Sequence, residues 1–296
     1  QVNLDTSRTP GARGAKVAFT PLHGTGRSSV EQTLQKAGFD VQCLPLQETP
    51  DGTFPSVPFN CANPEVRESM DLVSRFAAEG DFDLALATDP DADRLGMAIP
   101  GSQRRWSFLD GNQIGLLLAA CLLDSSPPEK LKDLYCVSTT VTSSLLGRLA
   151  RSRGARCLDN LPTGFKYIAA VLKAIEESGT YRDTFHGSPE GFLLGTEESH
   201  GYLVTGSVRD KDAAGASLLL CELAARLKEE GKTISSYLDE IYLEIGYMAT
   251  HSISTVMLGA QGHLDIQSAQ DQLREEPPEL IGEHPVETVF DHSAEN

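Results

Sequence analysis

The sequence predicts an α/β protein: two consecutive three-layer α/β domains with mixed, largely parallel sheets, followed by the start of a truncated α+β domain. Three observations carry that reading. Strand-like apolar runs alternate with segments of helical period, a pattern that builds a parallel sheet covered by helices. The alternation restarts after Arg104 and Arg105, and 296 residues are enough for about two cores. The expected divisions are 1–105, 106–246 and 247–296.

"AKVAFTPL" is the first strand, ending at a glycine turn. "SSVEQTLQKAGF" follows as a helix with Val30, Leu34 and Ala37 on one face, closed by Gly38, and "DVQCLPL" returns as a strand. Asn63 is expected to cap a second helix, with Pro64 at its first position, Val66, Met70, Val73 and Ala77 facing inward and Gly80 at its end. "FDLALA" is the next strand. Beyond Arg105 the series reads helix ("DGNQIGLLLAACLLD"), strand ("LYCVST"), helix ("SSLLGRLARS"), strand ("ARCLDNL") and a helix from Phe165 to Ser178. Two strands around "GFLLGTEESHGYLV" and helices in "AAGASLLLCELAARLKEEG" and "ISSYLDEIYLEIG" complete the second domain. From Tyr247 onward a strand, a helix ("DIQSAQDQLREE") and a strand ("VETVFD") are expected, too little to hold a core and therefore the opening of a third domain.

Composition narrows the function classes. No apolar run reaches the length of a membrane helix, and nothing near Gln1 has the order of a signal peptide. A net charge of −17 without a Lys/Arg run opposes nucleic acid and anionic membranes as partners. The same charge repels an anionic small substrate, so such a site needs local cations. Six cysteines without CxxC spacing suit reduced thiols in a cytoplasmic protein rather than a disulfide or zinc framework. The chain does not begin with Met, which suits a fragment or a processed form.

The densest chemical signal is "FDLALATDPDADRLGMA", where Asp89, Asp91 and Asp93 follow an apolar strand. Pro90 and the charges after it favour a loop at the strand's C-terminal end, where open α/β sheets bind ligands. Carboxylates about 4 Å apart repel by roughly 4 kcal/mol per pair at an effective dielectric near 20. A cation relieves that repulsion, and hard oxygens in a tight loop suit Mg²⁺, which keeps positions for water and phosphate. A solvated acidic turn is the competing reading. An EF-hand fits poorly: Arg94 stands where Gly is needed and Pro100 where Glu is needed. A phosphatase with an Asp nucleophile is a nearer rival, although it wants Thr or Val near Asp93. Arg94 adds the local cation that a phosphate ester requires.

These residues resemble a known family. "TDPDADR" is similar to the metal-binding loop of the α-D-phosphohexomutases, the superfamily of phosphoglucomutase and phosphomannomutase. "TPLHGTG" resembles that family's second-domain glycine turn, "LPTGFK" its third-domain sugar contact, and "GTEESHGYL" its sugar-recognition loop, all in the expected order. The resemblance implies interconversion of hexose 1-phosphate and hexose 6-phosphate through a phosphoserine and a hexose bisphosphate. It implies that Asp89, Asp91 and Asp93 hold Mg²⁺, and that Thr163, Glu197 and Ser199 contact the sugar. Glu197 and Ser199, two positions apart in a strand or loop, point the same way and suit adjacent hydroxyls. A surface turn and, for Thr163, a helix N-cap are their structural readings. Lys211 in "VRDKDAAG" corresponds to the family's Lys-Asp segment and is, with Arg94, the candidate catalytic cation, helped by Arg209 if neighbouring cations lower its pKa.

Three departures stand out. Ala213 replaces a usual Gly, which puts the turn before its helix in question, and His200 stands where an apolar residue is common and is expected to tune the choice of sugar. His23 in "PLHGTG" is read as structural, in a turn that either packs a helix on the sheet or offers backbone N–H groups to an anion. The family's Ser-His-Asn-Pro segment does not occur in this sequence, nor does its Ser/Gly/Thr-rich phosphate-gripping loop. The N-terminal phosphoserine domain and the C-terminal phosphate-binding domain are therefore expected to be missing from this chain, which by itself is expected to be inactive. A non-catalytic module that binds Ca²⁺ or a sugar phosphate is the alternative from another class.

Overall fold

A computed structural model of the chain describes residues 14–101, 106–250, 257, 259–289 and 291. The described residues through Met248 form one compact unit, and those from Ala249 form a second.

The first sheet has the order β2-β1-β3-β4-β5. It is built from β1 (Lys16–Thr20), β2 (Asp40–Cys43), β3 (Leu84–Thr88), β4 (Leu95–Pro100) and β5 (Trp106–Leu109). β1 runs parallel to β2 and β3, whereas β3-β4 and β4-β5 are antiparallel. The side-chain alternation of the strands assigns its two faces. Ala18, Ala85, Ala87 and Ala98 lie towards α2 (Asp71–Glu79), where they pack with Met70, Val73 and Ala77. On the other face Val17, Phe19, Leu84, Leu86 and Met97 join a larger core. A π-helical turn, Arg27–Glu31, and α1 (Gln32–Lys36) supply Val30 and Leu34 to that core.

The second sheet has the order β11-β10-β6-β7, from β6 (Tyr135–Thr139), β7 (Arg156–Leu161), β10 (Phe192–Glu197) and β11 (Gly201–Leu203). Only β10-β11 is antiparallel. α5 (Phe165–Ser178) covers one face through Phe165, Ile168, Val171 and Ile175. α3 (Gly111–Asp124), α4 (Leu145–Ser152), α6 (Ala213–Glu229) and α7 (Ile234–Ile245) belong to the core on the other side. Between β7 and β10 lies a short hairpin of β8 (Thr180–Tyr181) and β9 (Phe185–His186).

α6 joins the two halves. It is apolar around most of its circumference, and it packs against α1, β3 and β4 of the first half and α3 and β11 of the second. A helix of that kind belongs between two layers. Its N-terminus is fixed by Asp212, whose carboxylate accepts the N–H groups of Ala214 and Gly215 at 3.0 and 3.1 Å. Ala213 sits buried at the first helical position, so the turn forms without the glycine.

Several local expectations are corrected. α2 starts at Asp71, not at Pro64: the Asn63 side chain caps a turn by accepting from Glu65 N–H at 2.9 Å, and a 3₁₀ turn, Arg67–Met70, intervenes. Short polar side chains that hydrogen-bond locally compete with helix propagation in this way. β5 and the β8-β9 hairpin are additional strands. In the second unit, α8 (Gly259–Glu275) begins earlier than expected, and a hairpin of β12 (Leu280–Ile281) and β13 (His284–Pro285) follows. Residues 286–289 of "VETVFD" are not a strand, nor are residues 247–250; residues 251–256 and 290 lie outside the described set, as do Arg104 and Arg105. No apolar side chain of this unit is buried among the described residues.

Candidate active site

Asp89, Thr163 and Glu197 lie at or just beyond the C-terminal ends of β3, β7 and β10, which have parallel neighbours, whereas Lys211 follows the antiparallel β11. β3 delivers Asp89, and residues 89–94 form the loop of the β3-β4 hairpin. Ala92 takes a left-handed conformation, φ 60°, which folds the loop back on itself. Asp89 Oδ1 then accepts the backbone N–H groups of Asp93 and Arg94 at 3.1 and 3.0 Å. One ligand oxygen from each of Asp89, Asp91 and Asp93 can be chosen so that all lie within 4.8 Å of one another. Asp89 is buried, Asp93 half-buried and Asp91 exposed.

Burial pushes the Asp89 carboxyl up to about 7; the Arg94 N–H opposes that shift, and the neighbouring Asp93 and Asp91 add to it. The donors of the loop are hard carboxylate oxygens, which fit a small divalent cation. Asp89 is poorly disposed as a phosphatase nucleophile, because one oxygen is engaged by two N–H groups and the residue is only 8% exposed.

The glycine turn "PLHGTG" grips this loop. A Cβ on Gly24 would lie 2.3 Å from Pro90 Cα, so only glycine permits that approach. Thr25 donates both its backbone N–H and its hydroxyl to the Pro90 carbonyl, at 2.8 and 2.9 Å. An N–H group considered as an anion donor is therefore used within the fold. His23 is buried, with Nδ1 3.0 Å from the Thr49 carbonyl and Nε2 2.9 Å from Ser56 Oγ, a structural tie to the loop beyond β2.

The turn between β10 and β11 lies beside the aspartate loop. Glu197 ends β10, is buried, and accepts the Gly164 N–H at 2.9 Å, which holds the Thr163-Gly164 loop against it. Burial raises the Glu197 pKa, opposed by that N–H and by the charge of Lys211. Ser199 lies half-buried in the turn between β10 and β11, not in a strand. Thr163 is exposed, and the N-cap position of α5 belongs to Gly164 instead.

The two loops are fastened together. Arg94 and Gly201 form an antiparallel bridge, and Leu95 N–H donates to the His200 carbonyl at 3.0 Å. His200 Nδ1 returns a hydrogen bond to the Leu95 carbonyl at 3.0 Å, and its ring stacks on Phe108 at 5.6 Å. His200 is therefore a buried fastener between the two loops. Ala213 N–H reaches the Ala92 carbonyl at 3.3 Å, so the start of α6 also holds the aspartate loop.

Lys211 bridges the site, with Nζ 2.8 Å from Asp93 Oδ2. Its stem lies on Gly201, where a Cβ would meet Lys211 Cδ at 2.4 Å, and the ammonium sits 5.9 Å from the Phe165 ring centroid. Arg209 does not assist it: that guanidinium pairs with Glu176 and the Gly206 carbonyl. Arg94 lies 3.8 Å from Asp89 and 3.7 Å from Glu65, a partner that nothing in the sequence singles out. Glu198 likewise escapes a sequence reading; its carboxylate lies 3.3 and 3.4 Å from the Thr142 and Thr139 hydroxyls at the end of β6.

The family model for phosphoglucomutase/phosphomannomutase, alpha/beta/alpha domain II, matches residues 1–102, and that for alpha/beta/alpha domain III matches residues 110–245. The chain belongs to the phosphoglucomutase/phosphomannomutase family. It is 33% identical over 278 residues to a phosphoglucomutase of Staphylococcus haemolyticus, an alignment covering 94% of this chain and 48% of that protein. It is 34% identical over 276 residues to a probable phosphomannomutase of Haemophilus influenzae, covering 93% of this chain and 51% of that one. The chain thus spans about half the length of these relatives. Among solved structures, a putative phosphomannomutase from Thermus thermophilus aligns with a TM-score of 0.61 at 23% identity, over 79% of this chain and 47% of that chain. A phosphoglucomutase/phosphomannomutase family protein from Burkholderia thailandensis gives 0.63 at 19% identity, over 92% and 50%. Those two likenesses concern the fold.

Proposed function

We propose that this chain supplies the metal-holding and sugar-recognising parts of a phosphosugar mutase that interconverts hexose 1-phosphate and hexose 6-phosphate through a phosphoserine and a bisphosphorylated intermediate. The observation that carries the reading is the fastening of the aspartate loop to the sugar loop, with Lys211 set between them. Asp89, Asp91 and Asp93 hold Mg²⁺, which supplies positive charge to a phosphoryl group in transfer. Thr163, Glu197 and Ser199 bind sugar hydroxyls. Arg94 and Lys211 serve as catalytic cations, placing positive charge where an otherwise acidic protein repels a phosphate ester.

Residues 1–105 correspond on this reading to the family's second domain, 106–246 to its third, and the residues from 247 to the start of its fourth. The phosphoserine and the phosphate-gripping loop come from parts of the mutase outside these residues. Six unpaired thiols support a reducing, cytoplasmic setting.

Ligand-linked stabilisation tests the metal reading. Millimolar Mg²⁺ is expected to raise the Tm of the chain, and Asp91→Ala, an exposed substitution that leaves the core intact, to abolish the rise. A Ca²⁺ response far exceeding the Mg²⁺ response would count against it. Supplied with glucose 1-phosphate, a glucose bisphosphate primer and Mg²⁺, the 296-residue chain is expected to give no steady turnover; product formation would refute the need for a separate serine.

A further inference from the structure

Lys211 is held where it matters to the aspartate cluster before any substrate is considered. Its ammonium lies 2.8 Å from Asp93 Oδ2, with the two side chains only 16% and 25% exposed. The reach is built in: α6 is anchored by Asp212 next to Lys211, and Gly201 leaves its surface bare so that the aliphatic stem can cross it. Asp93 Oδ2 therefore already has a cationic partner. A divalent ion held by this carboxylate must either sit beside the ammonium, on Oδ2 itself or on the neighbouring Oδ1, or take the ammonium's place. In a half-buried setting the first arrangement is strongly repulsive.

We infer that Lys211 is a resident competitor for the divalent-cation site, and that metal uptake requires its ammonium to leave Asp93. The inference rests on the metal reading above and deepens it: the affinity of the site is set by an internal ion exchange as well as by the number of carboxylates. Two consequences follow, of which the second separates it from ordinary charge repulsion. Removing the ammonium should tighten metal binding, and the gain should depend on Asp93, because Asp93 is the contested ligand.

The test is Mn²⁺ binding to the 296-residue chain, read by electron paramagnetic resonance of the free ion and by the metal-dependent rise in Tm. Lys211→Met keeps the stem on Gly201 and removes the charge, with Lys211→Gln as a second variant should the first fold poorly. A partly exposed, charge-assisted contact of this kind corresponds to a tightening of roughly threefold to tenfold. In an Asp93→Asn background the same substitution should leave the weaker residual affinity nearly unchanged. Unchanged or weaker binding in Lys211→Met overturns the inference, and so does equal tightening with and without Asp93. Absence of Mn²⁺ uptake in both the unaltered chain and Lys211→Met overturns the metal reading itself, an outcome distinct from equal binding by the two.

Discussion

Two buried groups in the site give opposite pH signatures. Asp89 is raised from an ordinary carboxylate value to about 7, so the metal-free folded chain holds a proton that the unfolded chain has released. The Asp89 contribution to the stability of the metal-free protein is expected to fall as pH rises through the window from roughly 4 to 7, and the stabilisation added by Mg²⁺ to grow through the same window. His200 is lowered to about 4 by burial, so the unfolded chain binds a proton that the folded chain does not. That contribution, on the order of 3 kcal/mol, is complete above pH 6.5 and is lost as pH falls towards 4. Denaturant titrations across pH 4–8 in His200→Asn, which suits the left-handed backbone at φ 65°, should show a weaker acid-side loss. An unaltered profile would contradict the burial argument.

At the level of elements, the turn that grips the aspartate loop is the sensitive point. Gly24→Ala places a methyl group 2.3 Å from the Pro90 backbone, which cannot swing aside as a side-chain tip can. A loss of about 2 kcal/mol is expected from the overpacking, together with a weaker Tm response to Mg²⁺ because Pro90 lies between two of the carboxylates. A variant of normal stability and metal response would show that the turn is merely connective. The same elements explain what could be read in advance. The loop after β3 was legible because an apolar strand ending in Pro and Asp has few alternatives, and α5 was legible from its period. The start of α2 was not, because the Asn63 turn uses the residues that signal a helix cap. Nor could spacing along the chain tell that His200 turns inward or that Arg209 meets Glu176, since both depend on which element packs behind them.

For the molecule as a whole, the decisive element is α6. Val17, Phe19, Leu86 and Met97 of the first sheet share one core with Leu220 and Leu223 of a helix more than a hundred residues away. Residues 1–105 expressed alone are therefore expected to expose an apolar sheet face, bind a hydrophobic dye and aggregate, whereas residues 1–248 unfold in one transition. A soluble, cooperatively folding 1–105 piece would contradict this. The core explains why the two sheets act as a single support even though the sequence reads as two successive α/β runs.

The antiparallel bridge between Arg94 and Gly201 constrains how such an enzyme can breathe. Because main-chain hydrogen bonds and the His200 ring tie the two loops at their roots, the carboxylates of the aspartate loop and Glu197 are expected to move together as one jaw. On the function proposed above, a hinge that admits a phosphosugar is expected to move other parts of the protein against this jaw and to leave the spacing between its two loops constant.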